Sequence, residues 1–148
     1  MTTTFTTRRP EELTVRELHD VLKLRVDVFV VEQECPYAEI DGRDLLDDTV
    51  QLLAHEDGEL VAAQRVLGVH DAEPSIGRVV TRADARGRGL AGALLERGIE
   101  LCRPEATIRL GAQAHLEQWY GRFGFVRAGE DYLEDGIPHC PMLRTPRG

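Results

Sequence analysis

Residues 80–98 read VTRADARGRGLAGALLERG. A β-prone run ends at Thr81, a glycine-rich loop follows, and apolar residues then recur at helical spacing, so the stretch predicts strand, loop and helix. Gly87, Gly89 and Gly92 spell G-x-G-x-x-G, a dinucleotide-binding fingerprint. Read from Arg86, the same letters spell R-x-x-G-x-A, a different phosphate-binding signature. Context separates the two. A dinucleotide loop follows its strand almost at once, and an acidic residue further on holds the ribose. Here RADAR intervenes between Thr81 and Gly87, and the next strand, TIRLGA, ends without a carboxylate. The loop also lies past mid-chain, after a hairpin rather than at the start of a βαβ unit.

The second signature fits this context. A strand, a short linker, Arg86, three glycines and a helix gather backbone N–H groups at a helix N-terminus. Glycine lets that backbone approach an anion, and the helix dipole favours negative charge there. Arg86 and Arg88 can add charge-assisted bonds to phosphate oxygens. An ordinary glycine-rich turn with solvated arginines would give the same letters, so the loop by itself leaves both readings open.

Working outward, Thr14-x-x-Glu17 is a capping box, and Val15, Leu18, Val21, Leu22, Val26 and Phe29 follow at helical spacing. Residues 34–48 are polar and read as a loop. TVQLLAHEDGELVAAQRVLGV is two strands around an Asp57-Gly58 turn, and SIGRVVT is a further strand. Leu90, Leu94, Leu95, Ile99 and Cys102 mark the buried face of a helix that Pro104 stops. ATIRLGA is a strand, HLEQWYGRFGF a short helix closing at Gly124, and the tail two strands joined by a loop. Together they predict a mixed α/β sheet with helices on both faces.

The 148 residues suit one domain spanning 1–148. Net charge is −8, which argues against nucleic acid as a partner. No apolar stretch approaches the ~20 residues of a membrane span, and MTTTFTTRRPEEL has no signal-peptide core, so a cytoplasmic location is expected. Cys35, Cys102 and Cys140 lack paired spacing, and the five histidines show no metal-ligand spacing, so neither a disulfide framework nor a metal site is expected.

RVVTRADARGRGLAGALLERGIELC resembles the acetyl-CoA-binding motif of the GNAT superfamily of N-acetyltransferases. AQAHLEQWYGRFGFV resembles that superfamily's second signature, a strand followed by a helix ending in Tyr-x-x-x-Gly-Phe. LRVDVFVVEQECPYAEIDGRD and YLEDGIPHCPM are similar to one branch, the ElaA-like acetyltransferases. The resemblance runs from residue 15 to residue 142.

It implies a mostly antiparallel sheet that splays between its fourth and fifth strands, with the pantetheine arm of the cofactor entering the gap like an added strand. The fourth strand would be Ile76–Thr81, with backbone groups of Val79, Val80 and Thr81 paired to pantetheine. The pyrophosphate would lie on the amides of Arg86, Gly87, Arg88, Gly89, Leu90, Ala91 and Gly92. Gln113 either bonds the cofactor or caps the next helix. Tyr120 would be the general acid that protonates the departing thiolate, although spacing alone would make it a packing aromatic beside Trp119 and Phe123. The implied activity is acetyl transfer from acetyl-CoA to a small-molecule or peptide amine, by direct attack in a ternary complex and without a metal. A non-catalytic acyl-CoA sensor and a transferase of longer acyl groups are the alternatives, and a homodimer is left open.

Some members of the superfamily carry a base on the fourth strand, often a glutamate, and SIGRVVT has no carboxylate. Deprotonation of the amine would then run through water or a residue elsewhere, with Glu32, Glu34, Asp41, Glu134, Asp135 and His139 as candidates, and His139 reads equally as a structural histidine. Residues 32–48 hold seven carboxylates against Arg43 alone, which either attracts a cationic amine or is a solvated acidic loop.

Overall fold

The computed structural model describes residues 2–146. Eight strands form one sheet: β1 (Thr3–Arg8), β2 (Val50–Glu56), β3 (Glu59–Leu67), β4 (Ser75–Thr81), β5 (Ile108–Gln113), β6 (Val126–Arg127), β7 (Tyr132–Glu134) and β8 (Ile137–Arg144). The strand order is β1-β2-β3-β4-β5-β8-β6, with β7 also paired to β8. Every pairing is antiparallel except β4 with β5.

Among the described residues the α-helices are α1 (Val15–Arg25), α2 (Leu90–Leu101) and α3 (Glu117–Gly121). Burial puts them on both faces. Leu94 and Leu95 of α2 and Tyr120 of α3 pack with Leu52, Ala54, Ile76 and Leu110 on one side. Val21 and Leu24 of α1 pack with Leu53, Leu60 and Val80 on the other. β2 and β3 are covered from both sides, which accounts for their near-continuous burial.

The Thr14–Glu17 capping box forms, with Glu17 N–H donating to Thr14 Oγ1 at 3.0 Å and Thr14 N–H to Glu17 Oε1 at 3.0 Å. The buried face is rotated from the one expected: Val15 is 89% exposed at the first turn, and Arg25 joins Val21, Leu24 and Val28 inside. The helix then widens into a π-helix, Val26–Glu32. The first strand, missed in the sequence, is the Thr-rich Thr3–Arg8 on the edge of β2. The tail holds three strands rather than two, β7 and β8 turning at Asp135-Gly136 with φ of +51° and +80°.

β4 is not regular. Ala63 pairs with Val80 and Arg65 with Gly77, so two steps along β3 match three along β4. Arg78 takes up the extra residue with φ +50°, and a bulge of this kind re-aims the backbone around it.

Candidate active site

The parallel pairing of β4 and β5 consists of a single register match, Ser75 with Arg109, reinforced by Arg109 N–H to Pro74 O at 2.9 Å. β5 then pairs with β8 along its whole length, from Ile108 with Arg144 to Gln113 with His139. β4 therefore loses its neighbour from Ile76 onward, and the sheet opens as expected between its fourth and fifth strands. The gap is a cleft of about 1300 Å³, larger than the roughly 300–1,000 Å³ of a typical small-molecule site.

The structure brings together in this cleft the free edge of β4 (Val79, Val80, Thr81), the loop residues Arg86, Gly87, Gly89, Leu90, Ala91 and Gly92, and Gln113 and Tyr120. Arg88 is the exception. Its guanidinium turns away to Glu56, at 2.9 and 2.7 Å. Arg86 is also engaged, with Nη1 and Nη2 donating to Glu32 at 2.7 and 2.9 Å and Nε to Thr81 O at 3.2 Å. In this state neither guanidinium is free for a phosphate.

The backbone of the loop is open instead. Gly87 and Gly89 have φ of +79° and +75°, and a Cβ on either would meet nothing within 4 Å. Gly89 is the N-cap of α2 with no side-chain cap, which leaves first-turn amides unsatisfied. Gly92 has a different reason to be glycine: a Cβ there would stand 3.2 Å from Phe123 Cζ, where α2 meets the segment after α3. Arg122, a cleft-lining cation, was not singled out in the sequence.

Tyr120 is 8% exposed. Its ring lies edge-on to Trp119 at 4.9 Å and to Phe125 at 6.2 Å. Burial pushes its phenol up to about 12. Gln113 reaches Gln33 at 3.5 Å across the cleft.

The other end of the cleft is bounded by a largely buried ionic network. Arg25 donates to Glu39 at 2.9 Å and to Asp44 at 2.6 and 3.1 Å. Arg65 donates to Asp41 at 3.0 and 2.7 Å, and Arg78 to Glu39 at 2.6 Å. The Tyr37 hydroxyl completes Glu39, and the Arg78 guanidinium lies over the Tyr37 ring. The Arg65 hydrogen bond holds the Asp41 carboxyl well below its usual range. Burial would raise Asp44, and the Arg25 hydrogen bond and charge more than offset it. The network anchors the β4 bulge to the segment after α1, because Arg78 is the bulged residue.

This alters the reading of the acidic stretch. Glu32, Glu39, Asp41 and Asp44 are all arginine-paired, so most of its apparent field is cancelled locally. The cleft carboxylates outside these arginine pairs belong to the β7–β8 turn, Glu134 and Asp135. There His139 stacks on Tyr132, and Cys35 Sγ donates to Asp135 O at 3.3 Å. Among the described residues no three His, Cys, Asp or Glu side chains gather as a metal site, and no helix is long and apolar enough to cross a membrane.

Residues 17–145 match the family model described as acetyltransferase (GNAT) domain. Protein ElaA of Escherichia coli K12 is 46% identical over 138 residues, covering 90% of this chain and 90% of ElaA. A UPF0039 protein of Mycobacterium tuberculosis is 46% identical over 147 residues, 93% of this chain and 90% of the relative. Among solved structures, an acyl-CoA N-acyltransferase from Pseudomonas aeruginosa superposes with a TM-score of 0.92 at 46% identity, over 97% of this chain and 100% of that one.

Proposed function

The chain belongs to the GNAT acetyltransferase family, within its ElaA-like group, and from that premise we propose that it is an N-acetyltransferase moving the acetyl group of acetyl-CoA to a primary amine. The observation that carries this is the single β4–β5 register match. It leaves a strand edge unpartnered beside an open glycine loop and a buried tyrosine. Unpaired backbone N–H and C=O groups need partners, and the two amides of an extended pantetheine arm supply them as an added strand would.

In this reading Val79, Val80 and Thr81 hold the arm, and the amides from Arg86 to Gly92 hold the pyrophosphate at the start of α2. The amine, once neutral, attacks the thioester carbonyl directly. As the C–S bond breaks, the sulfur takes the Tyr120 proton. With the phenol near 12 and an ordinary thiol near 8.5, that transfer is uphill by ~5 kcal/mol. The cost falls if the proton moves as the bond breaks, and if the dry cleft raises the thiol as well. Gln113, which lines the same cleft and makes no side-chain cap to the following helix, bonds the cofactor.

The test is thiol release from acetyl-CoA with a panel of primary amines, with propionyl- and octanoyl-CoA as parallel donors. Amine-dependent release that is fastest with acetyl-CoA is expected. Tight binding with no release for any amine would make the protein a sensor, and a preference for octanoyl-CoA would overturn the acetyl assignment.

A further inference from the structure

His139 sits on β8 directly opposite Gln113 of β5 and Tyr132 of β7. It is 9% exposed and lines the cleft that Tyr120 also lines. Its Nδ1 lies 2.7 Å from Ile137 O. A carbonyl oxygen can only accept, so Nδ1 carries the hydrogen, and in the neutral ring Nε2 holds a lone pair. That nitrogen faces Glu134 Oε2 at 3.4 Å. Two acceptors at that distance have nothing to share unless a proton or an ammonium group comes between them.

Packing holds the ring in this orientation. The imidazole stacks on Tyr132 with centroids 5.8 Å apart. Tyr132 in turn lies across Gly111 of β5, where a Cβ would collide with the Tyr132 hydroxyl. The charged or titratable groups facing His139 are Glu134 and Tyr132 from β7; β5 presents the uncharged Gln113. Asp135, in the same turn, offers its carbonyl to Cys35, which ties the turn to the segment after α1. The other sequence candidates that the structure pairs are poorer bases. Glu32 is clamped by Arg86, and Asp41 is held low by Arg65.

Resting on the acyltransferase reading above, we propose that His139 is the general base that takes the amine proton, with Glu134 positioned to hold the resulting imidazolium. The acceptor ammonium gives one proton to Nε2, and its nitrogen lone pair forms the bond to the thioester carbon. On attack that nitrogen becomes positive again. It loses a second proton as the C–S bond breaks, and this proton restores Tyr120 after Tyr120 has protonated the sulfur. One proton remains on His139 and leaves to solvent, which balances the overall release of one proton. The pair also states a preference: an acceptor that arrives as a cation meets Glu134 first.

The test is the pH dependence of kcat/KM at saturating acetyl-CoA for wild type, His139→Gln and Glu134→Gln, with coenzyme A affinity measured alongside. Wild type should lose kcat/KM toward acid pH, where a base that must be neutral to act is protonated. His139→Gln should lower kcat/KM about 10²-fold near neutrality and leave coenzyme A affinity unchanged, and the ratio of wild type to variant, in which the amine's own ionisation cancels, should shrink toward acid pH. Glu134→Gln removes the carboxylate that faces Nε2 and would hold the imidazolium, so it should lower kcat, not only raise KM, with coenzyme A affinity unchanged. A wild-type to His139→Gln ratio that stays constant with pH, or a Glu134→Gln variant with wild-type kcat, overturns the proposal. The Glu134 side chain is exposed, so that variant decides the matter even where His139→Gln fails to fold. A wild type that acetylates no amine withdraws the acyltransferase reading and this one with it.

Discussion

Arg86 and Glu32 meet in a two-pronged ion pair, at 2.7 and 2.9 Å, across the mouth of the cleft. The arginine of the phosphate signature is thus held by a protein carboxylate at the end of the π-helix that follows α1. If the pyrophosphate lies on this loop, it competes with Glu32 for the same guanidinium. Glu32→Gln should therefore tighten coenzyme A binding, by about two- to fivefold given the modest strength of exposed pairs. Arg86→Gln should weaken it. Titration calorimetry measures both; a Glu32→Gln variant that binds more weakly would mean that the pair builds the site rather than guarding it.

Tyr120→Phe removes one hydroxyl and keeps the ring against Trp119 and Phe125. Coenzyme A affinity should barely change, while kcat falls by roughly 10²–10⁴-fold, with water replacement favouring the lower end. A phenol near 12 stays protonated through the working range, so its ionisation should put no basic limb on kcat below about pH 10. Steady-state thiol release resolves both effects. Full turnover in Tyr120→Phe would remove the residue from the chemistry.

The network around Arg25 governs stability. Arg25 is 1% exposed and holds two buried carboxylates, Glu39 and Asp44. Arg25→Leu leaves Glu39 to Arg78 and Asp44 to Arg65 and Gln51, and breaking a buried pair costs roughly 3–5 kcal/mol, with these remaining partners favouring the lower end, readable from urea unfolding. Asp41 and Asp44 are both lowered by their arginine partners in the folded state. Their contribution is complete above the unfolded carboxylate value near 4 and is lost as pH falls through the lower folded values. The thermal midpoint should stay level in this respect from about pH 5 to 8 and drop below about pH 4. Arg25→Leu should flatten that acid slope. A midpoint that rises as pH falls below 4 would contradict the assignment.

What the sequence disclosed follows from local signals. The capping box at Thr14, the Asp57-Gly58 turn, the apolar face of α2 and the strand–loop–helix around Gly87 and Gly89 each depend on neighbours a few residues apart. What stayed hidden depends on partners far along the chain. The Thr3–Arg8 strand has no apolar alternation and exists because β2 offers an edge. Arg25 sat unremarked in an apolar periodicity, because its carboxylates lie 14 and 19 residues later. The bulge at Arg78 is invisible until β3 sets its register. For the same reason the carboxylates of residues 32–48 looked like a free acidic field, whereas four of them are arginine-paired. The glycine motif likewise could not separate Gly89, whose backbone is left-handed, from Gly92, whose missing Cβ makes room for Phe123.

The account turns on the open edge of β4, and residue-resolved amide exchange with and without coenzyme A reads that edge directly. In the free protein the amides between Val79 and Thr81 that face the gap should exchange readily, because β5 is bonded to β4 only at Ser75 and Arg109. Saturating coenzyme A should slow them, together with amides of the loop from Arg86 to Gly92, while NAD changes neither. Unchanged exchange at Val79–Thr81 in protein shown by calorimetry to be saturated with coenzyme A would place the cofactor elsewhere and contradict the account.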